Sequence, residues 1–315
     1  MKSQIQNRFV DWRRQAFETF WSGDLEKSWE IHSKIESLFP EKRHITDMWK
    51  ICLFGRSGQN DEAFRMAFAS LHDGIWWHPD RLREEPELDP LKKDARFDLF
   101  VDACRNRYRQ EADRHPPLLC SMGNPLSVKR MFAIHWRGDN ADSFSEYWEE
   151  TAFLSDWHVG FPQSSQVFGS DRFCWDDEKK AEADLVESKR HFDQISAADP
   201  DQTILCGASQ GGKLAIDYTL RMKPFSESRF FAIVPSILDL APYEAKLREG
   251  VCPQTRGYIL TGDRDPFVQK ASALHELLRD YDIPCKLTIV KGLGHDFPKG
   301  FEMYLKDVAD FLHQA

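Results

Sequence analysis

The chain has 315 residues, enough for one large domain or two of ordinary size. Acidic residues outnumber basic ones by 51 to 42, and the net charge of −9 argues against a nucleic-acid partner, because phosphate binding needs clustered Lys and Arg. The sequence has no apolar run of about 18 residues and no apolar leader segment, so we expect neither a membrane span nor a signal peptide.

Residues 1–115 are predicted to form a helical domain. Their apolar residues recur at steps of three and four, the period of amphipathic helices. Gly23 and Gly58 lie 35 residues apart, and each is followed five positions later by a small residue, Ser28 or Ala63. This spacing resembles tetratricopeptide repeats, whose period is about 34 residues. An ordinary helical bundle is the alternative.

The two prolines of His115-Pro116-Pro117 mark the predicted domain boundary, because proline removes a backbone donor and clashes with the preceding helical turn. From residue 116 to residue 315, β-rich apolar runs alternate with helical stretches. This alternation predicts an α/β domain with a mainly parallel sheet and helices on both faces. The predicted strands are residues 117–122, 130–135, 158–162, 203–206, 230–235, 257–261 and 286–290. The predicted helices are residues 142–154, 177–196, 210–222, 267–281 and 299–314.

A Gly-x-Ser-x-Gly motif, Gly207–Gly211, follows a short buried strand and precedes a helix. In that context the motif is typical of a nucleophile elbow, a strained turn that presents the Ser209 hydroxyl at the carboxyl end of the sheet. Glycines leave space for the turn, and the N-terminus of the next helix points N–H groups toward an oxyanion. The alternative is a glycine-rich turn with an incidental serine.

A serine nucleophile needs a general base and an acid that orients the base. His295 follows the last predicted strand and is predicted to be the base. Asp265, in the loop after residues 257–261, is predicted to be the acid. Asp263 in the same loop and Asp239 after the preceding strand are the alternatives.

The oxyanion hole needs two backbone donors. One is predicted to be the N–H of Gln210, directly after the nucleophile, and the other lies in the loop 136–140. His135, just before that loop, is predicted to be a buried structural residue. Asp176 and Asp177 are predicted to begin the next helix rather than to act in catalysis.

These motifs resemble those of the α/β-hydrolase superfamily, and more narrowly its phospholipase/carboxylesterase group, which includes acyl-protein thioesterases. The resemblance covers residues 117–315 and implies the α/β-hydrolase fold, with Ser209, Asp265 and His295 as the catalytic residues. It also makes the backbone N–H of Arg137 the second oxyanion donor. The matching motifs are Gly207–Gly212, Gly262–Val268, Gly294-His295 and His135–Asp139, in which Trp136 stands where the family has glycine.

The sequence therefore predicts a serine hydrolase that cleaves a small-molecule carboxylic ester or thioester through an acyl-enzyme. A serine peptidase or amidase on the same fold is one alternative, and a helical-repeat binding protein with a vestigial hydrolase domain is another. The helical domain is expected to bind a protein partner, to mediate self-association or to cover the active-site edge. Four aromatic residues are predicted to contact substrate, with simple packing as the alternative: Trp136, Trp175, Phe267 and Phe297.

No cofactor or metal is implied by the sequence. It has no Walker loop, no GxGxxG and no HExxH motif. Its seven cysteines are scattered, without a CxxC pair or metal-ligand spacing. We interpret them as reduced thiols, which favours a cytoplasmic protein.

Overall fold

The computed structural model of the protein describes residues 8–149, 152–197, 203–221 and 224–313. Small parts of three predicted helices, residues 150–151, 222 and 314, lie outside these ranges. The structure divides into two units. One contains the chain up to Arg114 together with Val167–Arg172, and the other contains His115–Gln166 and the chain from Phe173 onward.

The first unit is helical, as predicted. Asp24 begins its second helix by accepting a hydrogen bond from the N–H of Lys27, and Gly23 ends the first helix in the left-handed conformation that glycine adopts without strain. The helices are α1 (Phe9–Ser22), α2 (Leu25–Leu38), α3 (Arg43–Arg56), α4 (Asn60–His72), α5 (Pro79–Glu84) and α6 (Ala95–Glu111). Short 3-10 helices lie at Pro40–Lys42 and Pro86–Leu88.

The first four helices pack in sequence, α1 on α2, α2 on α3 and α3 on α4. The first residues of α1 and α3, Phe9 and Arg43, are 34 positions apart. The small residues Ser28 and Ala63 are both fully buried, in agreement with a role in close helix packing. The tetratricopeptide-like assignment itself stays a prediction.

The second unit contains a seven-stranded sheet of order β1-β3-β2-β6-β7-β8-β9. All its neighbouring strands are parallel except β1 and β3. The strands within the described residues are β1 (Leu118–Gly123), β2 (Arg130–Ile134), β3 (His158–Gln163), β4 (Val167–Gly169), β5 (Arg172–Phe173), β6 (Thr203–Ala208), β7 (Arg229–Ile233), β8 (Arg256–Gly262) and β9 (Cys285–Val290). The helices of this unit are α7 (Ala141–Ser145), α8 (Phe153–Asp156), α9 (Glu178–Gln194), α10 (Gln210–Arg221), α11 (Ala241–Glu249), α12 (Val268–Asp280) and α13 (Phe301–Leu312).

Helices cover both faces of this sheet. Side chains alternate along each strand, so each face presents its own set of side chains to the helices that pack on it. Phe132 and Phe230 point to one face and share a core with residues of α9, α10 and α12. Phe231 and Tyr258 point to the other face, where their rings contact Phe301 and Phe311 of α13. The predicted α/β fold class, with a helical domain before it, is confirmed.

Three elements differ from the sequence prediction. Residues 142–154 do not form one helix but the short helices α7 and α8, with turns between them. Trp148 in those turns is fully buried against Phe161 and Phe301, so tertiary packing of this ring prevails over the local helical pattern. Helix α11 and the small β4–β5 hairpin were not predicted.

Most of the β4–β5 hairpin, Val167–Arg172, belongs to the helical unit, whereas Phe173 and both flanking segments belong to the other unit. Ser170 donates its N–H to the carbonyl of Trp76 and accepts the N–H of Trp76 on its hydroxyl. The ring of His78 stacks on Phe168 with centroids 5.1 Å apart, and the backbone N–H of His78 donates to the Phe168 carbonyl. The segment before α5 thus holds the hairpin.

Among the residues that the structure describes, no helix has both the length and the apolarity needed to cross a lipid bilayer.

We expect Phe168 to couple the hairpin to the helical unit energetically. In the full-length chain Phe168→Ala removes a buried ring and should cost about 3–5 kcal/mol of unfolding free energy. In a fragment of residues 115–315 the ring has lost its helical partners, so the same substitution should be nearly neutral. Thermal and urea unfolding of the four proteins measures both costs. An equal cost in the two backgrounds would contradict the assignment of the hairpin.

Candidate active site

The predicted site residues lie on loops that follow neighbouring strands. Arg137 follows β2, Ser209 follows β6, Asp265 follows β8 and His295 follows β9. Because these strands are parallel, their carboxyl ends lie along one edge of the sheet, where ligands bind in open α/β folds.

Ser209 occupies the sharp turn between β6 and α10. Its φ of 51° is in the left-handed region, which costs a non-glycine residue about 1–3 kcal/mol. The turn is held by the neighbouring strand: the N–H of Ser209 bonds to the Ile233 carbonyl at 2.9 Å, and its carbonyl accepts the N–H of Ser236 at 3.1 Å.

Two glycines allow backbone segments to approach closely at this turn. A Cβ on Gly211 would lie 2.1 Å from the carbonyl oxygen of Ile134, at the end of β2. A Cβ on Gly207 would lie 2.4 Å from the carbonyl of Gly211. Such distances are far below van der Waals contact, so any side chain here would displace the turn that carries Ser209.

The structure brings Ser209, His295 and Asp265 into one hydrogen-bonded series. The Nε2 atom of His295 is 2.8 Å from the Ser209 hydroxyl oxygen, and its Nδ1 atom is 3.2 Å from each carboxylate oxygen of Asp265. Asp265 is only 3% exposed and also accepts bonds from the Thr261 hydroxyl and the Phe267 N–H. The carboxylate is therefore fixed in a position that orients the imidazole toward the serine.

The two alternative acids accept hydrogen bonds from backbone N–H groups in or near their own loops. Asp263 is exposed and accepts the N–H of Gly292 at 2.6 Å, and Asp239 accepts the N–H of Ala241 at the start of α11. The geometry therefore favours Asp265 as the acid next to His295.

The predicted oxyanion donors lie on two separate segments. Gln210 is the first residue of α10, so its N–H has no acceptor within the helix. Arg137 lies in the loop after β2, with its guanidinium exposed. The side chains of both residues bond to the carboxylate of Asp176.

Asp176 does not begin helix α9, as the sequence predicted, but binds two residues of the candidate site. The N-cap of α9 is Asp177, which accepts the N–H groups of Lys179 and Lys180. Asp176 instead contacts residues far away in the chain, Arg137 and Gln210. No local pattern indicates such a pairing, because the same Asp-Asp pair is compatible with an ordinary helix start.

His135 is a buried structural residue. Burial lowers its pKa to about 4, so the imidazole is neutral at pH 7. Its Nδ1 donates to the Trp136 carbonyl at 2.7 Å, and its own carbonyl accepts the indole N–H of Trp175 at 3.0 Å. These bonds hold the start of the loop that carries Arg137.

The four aromatic residues predicted to contact substrate differ in accessibility. Trp136 and Phe297 are buried in one cluster, with ring centroids 5.5 Å apart, and Trp175 is buried against His135. Phe267 is partly exposed and lies against the ring of His295, with centroids 5.3 Å apart. Their contact with substrate stays a prediction, and Phe267 is the most accessible of the four.

No group of three or more His, Cys, Asp or Glu side chains with a metal-binding arrangement is present among the residues that the structure describes.

Comparison with known proteins supports the fold. Residues 40–112 match a family model described as A/B hydrolase-like, N-terminal domain. An uncharacterized protein from Bacillus cereus ATCC 10987 is similar over 96% of this chain and 98% of its own, with 21% identity and a TM-score of 0.53. An S-formylglutathione hydrolase from Agrobacterium tumefaciens is similar over 64% of this chain and 92% of its own, with 16% identity and a TM-score of 0.51.

A phospholipase/carboxylesterase from Dyadobacter fermentans DSM 18053 has a TM-score of 0.46 and 16% identity, over 61% of this chain and 96% of its own. No curated protein matches the sequence. The similarity to the Agrobacterium tumefaciens hydrolase, together with the strand order of the sheet, shows that the second unit has the α/β-hydrolase fold. In the helical unit, residues 40–112 match the N-terminal domain model.

We expect Gly211→Ala to damage the turn. The added Cβ clashes with the Ile134 carbonyl, and overpacking of this kind costs about 1–3 kcal/mol. The matched control is Gly294→Ala, since a Cβ on Gly294 meets nothing within 4 Å. Thermal unfolding should show a lower melting temperature for Gly211→Ala and an unchanged one for the control. Equal melting temperatures would show that the backbone approach is looser than described.

Proposed function

We propose that the protein is a serine hydrolase that cleaves a carboxylic ester or thioester. The observation that carries the proposal is the series Ser209–His295–Asp265, with 2.8 Å between the serine hydroxyl and the imidazole. A serine hydroxyl at its ordinary pKa is a weak nucleophile, and an imidazole within hydrogen-bond reach activates it. The strained turn and the following helix N-terminus are the other parts that acyl transfer needs.

The reaction proceeds in two halves. Ser209 attacks the carbonyl carbon while His295 takes the hydroxyl proton, and the imidazolium that forms is stabilised by Asp265. Backbone N–H groups of Gln210 and Arg137 hold the oxyanion of the tetrahedral intermediate. His295 then passes the proton to the leaving alcohol or thiol. In the second half, His295 takes a proton from the water that attacks the acyl carbon, and it returns this proton to the Ser209 oxygen as the bond to the acyl group breaks and the acid product leaves.

We propose esters and thioesters rather than amides as substrates because of their leaving groups. Alcohols and thiols are better leaving groups than amines, so this set of residues suffices for them without extra stabilisation of the leaving group. The name of the structurally similar S-formylglutathione hydrolase motivates a thioester in the substrate panel. Parallel assays with acyl esters, acyl thioesters and aminoacyl amides separate this proposal from the peptidase alternative.

Ser209→Ala should abolish turnover. Removal of the nucleophile is expected to lower kcat by about 10³–10⁶-fold, because only binding and oxyanion stabilisation remain. A fluorophosphonate probe should label the wild-type protein, and peptide mapping should place the adduct on Ser209. Stoichiometric labelling of Ser209→Ala, or an adduct on another serine, would contradict the proposal. Absence of both labelling and turnover in the wild-type protein would favour the binding-protein alternative.

Asp265→Asn should lower kcat by about 10⁴-fold, because the amide no longer selects the imidazole tautomer that accepts the Ser209 proton. The matched controls are Asp263→Asn and Asp239→Asn, which alter the alternative acids on the same edge. Both should retain turnover close to that of the wild type. A large loss in either control, with Asp265→Asn still active, would move the acid to that residue.

The helical unit is proposed to bind a protein partner or a second copy of the chain. Its helical pairs resemble repeats that present binding surfaces, and residues 40–112 match a domain model described as A/B hydrolase-like, N-terminal domain. Sedimentation of the full-length protein over a concentration series distinguishes self-association from a monomer that awaits a partner.

A further inference from the structure

The carboxylate of Asp176 joins two segments that are distant in the chain. The Nε and Nη2 atoms of Arg137 donate to its two oxygens at 3.0 and 2.8 Å, in the two-pronged geometry that fixes a guanidinium most firmly. The side-chain Nε2 of Gln210 donates to Oδ1 at 2.8 Å. One carboxylate therefore holds the side chains of both residues whose backbone N–H groups are the proposed oxyanion donors.

The backbone around Asp176 braces the same two segments. Phe173 and the loop after β2 exchange two hydrogen bonds: Phe173 donates to Asp139 at 2.8 Å, and Gly138 donates to Phe173 at 2.7 Å. The N–H of Trp175 donates to the side-chain oxygen of Gln210 at 2.9 Å. The amide of Gln210 is thus held at both of its ends, so its side chain has one orientation.

The surroundings of Asp176 favour the charged form of its carboxyl group. Burial opposes ionisation of the carboxyl group, but hydrogen bonds from Arg137 and Gln210 outweigh it and lower the pKa of Asp176 below its ordinary value. The ion pair is also well exposed, with 39% of the Arg137 side chain and 42% of the Asp176 side chain accessible. Exposed ion pairs contribute little to folding stability. We therefore expect the loss of this carboxylate to change the local geometry more than the stability of the fold.

We propose that Asp176 is a positioning residue, which sets the separation and direction of the two oxyanion donors by holding Arg137 and Gln210 together. This inference rests on the hydrolase function proposed above. Donors stabilise the developing oxyanion only within about 2.7–3.1 Å, and a displacement of about 1 Å can cost about 10²-fold in rate. Asp176 touches neither the substrate nor the reacting atoms and acts through the two residues that it holds.

Asp176→Ala tests the proposal. We expect kcat for ester hydrolysis to fall by about 10–100-fold, with KM changed by less than about threefold, because the oxyanion forms only after the substrate has bound. The rate of fluorophosphonate labelling should fall in parallel. The melting temperature should stay close to that of the wild type. Asp176→Asn, which keeps the shape but loses the charge, should show a smaller loss.

Asp307→Asn is the matched control. The Asp307 carboxylate likewise joins two side chains, those of Lys286 and Tyr258, and its ion pair has nearly the same exposure, 41% and 45%. Lys286 and Tyr258 lie near the amino ends of β9 and β8, at the opposite edge of the sheet. Loss of this carboxylate should leave kcat and the labelling rate unchanged.

The path through Arg137 is tested by combining substitutions. Arg137→Ala removes the guanidinium but keeps the backbone N–H, so it should lower kcat less than Asp176→Ala does. The double variant should be no slower than Asp176→Ala alone, because both changes remove the same link. Fully multiplicative losses would overturn the proposed path.

Three further outcomes would overturn the positioning role of Asp176. A wild-type protein that turns over esters, with an Asp176→Ala variant of equal kcat, overturns the positioning role alone. Failure of both Asp176 variants to fold would make the residue structural and also overturns it. A wild-type protein that neither hydrolyses esters nor reacts with the probe overturns the proposed function and this inference with it.

Discussion

The close approach of α10 to the end of β2 is the constraint on which the site depends. The first turn of the helix passes so near the Ile134 carbonyl that position 211 has no room for a Cβ. This contact lets the chain reverse sharply after β6 and holds Ser209 at a positive φ. It also places Gln210, at the start of α10, beside the loop that carries Arg137. The nucleophile and the proposed oxyanion donors therefore derive their positions from one backbone contact.

The parallel register of the sheet supplies the remaining groups. β6, β7, β8 and β9 are adjacent and end on the same edge, so loops that are distant in the chain meet there. His295 reaches Ser209 across 86 residues of sequence, and Asp265 reaches His295 across 30. The loops that carry these residues need no unusual conformation to meet, because the parallel strands before them end at the same edge of the sheet. The sheet thus sets the distances between the loops that carry the three residues, and short hydrogen bonds set the orientation of their side chains.

The sequence reveals the parts of the site that have local signals. All seven strands of the main sheet and the alternation with helices are visible in the sequence as β-rich apolar runs. The central strands are the most distinct, because buried parallel strands differ in composition from the segments between them. Ser209, Asp265 and His295 each follow such a strand. Contacts that tertiary packing decides are not visible: Trp148 breaks a helical pattern through contacts with rings of β3 and α13, and Asp176 pairs with residues 34 and 39 positions away.

The unpredicted hairpin interrupts the chain just before the segment that carries Asp176. Gln166 closes the base of this excursion, since its side chain exchanges two bonds with the backbone of Asp177 and its carbonyl accepts the N–H of Cys174. The chain leaves the hydrolase unit after Gln166, is held by the helical unit at Val167–Arg172, and returns directly as the segment that carries Asp176. The segment whose backbone braces Gly138 and Gln210 therefore begins directly where the hairpin ends.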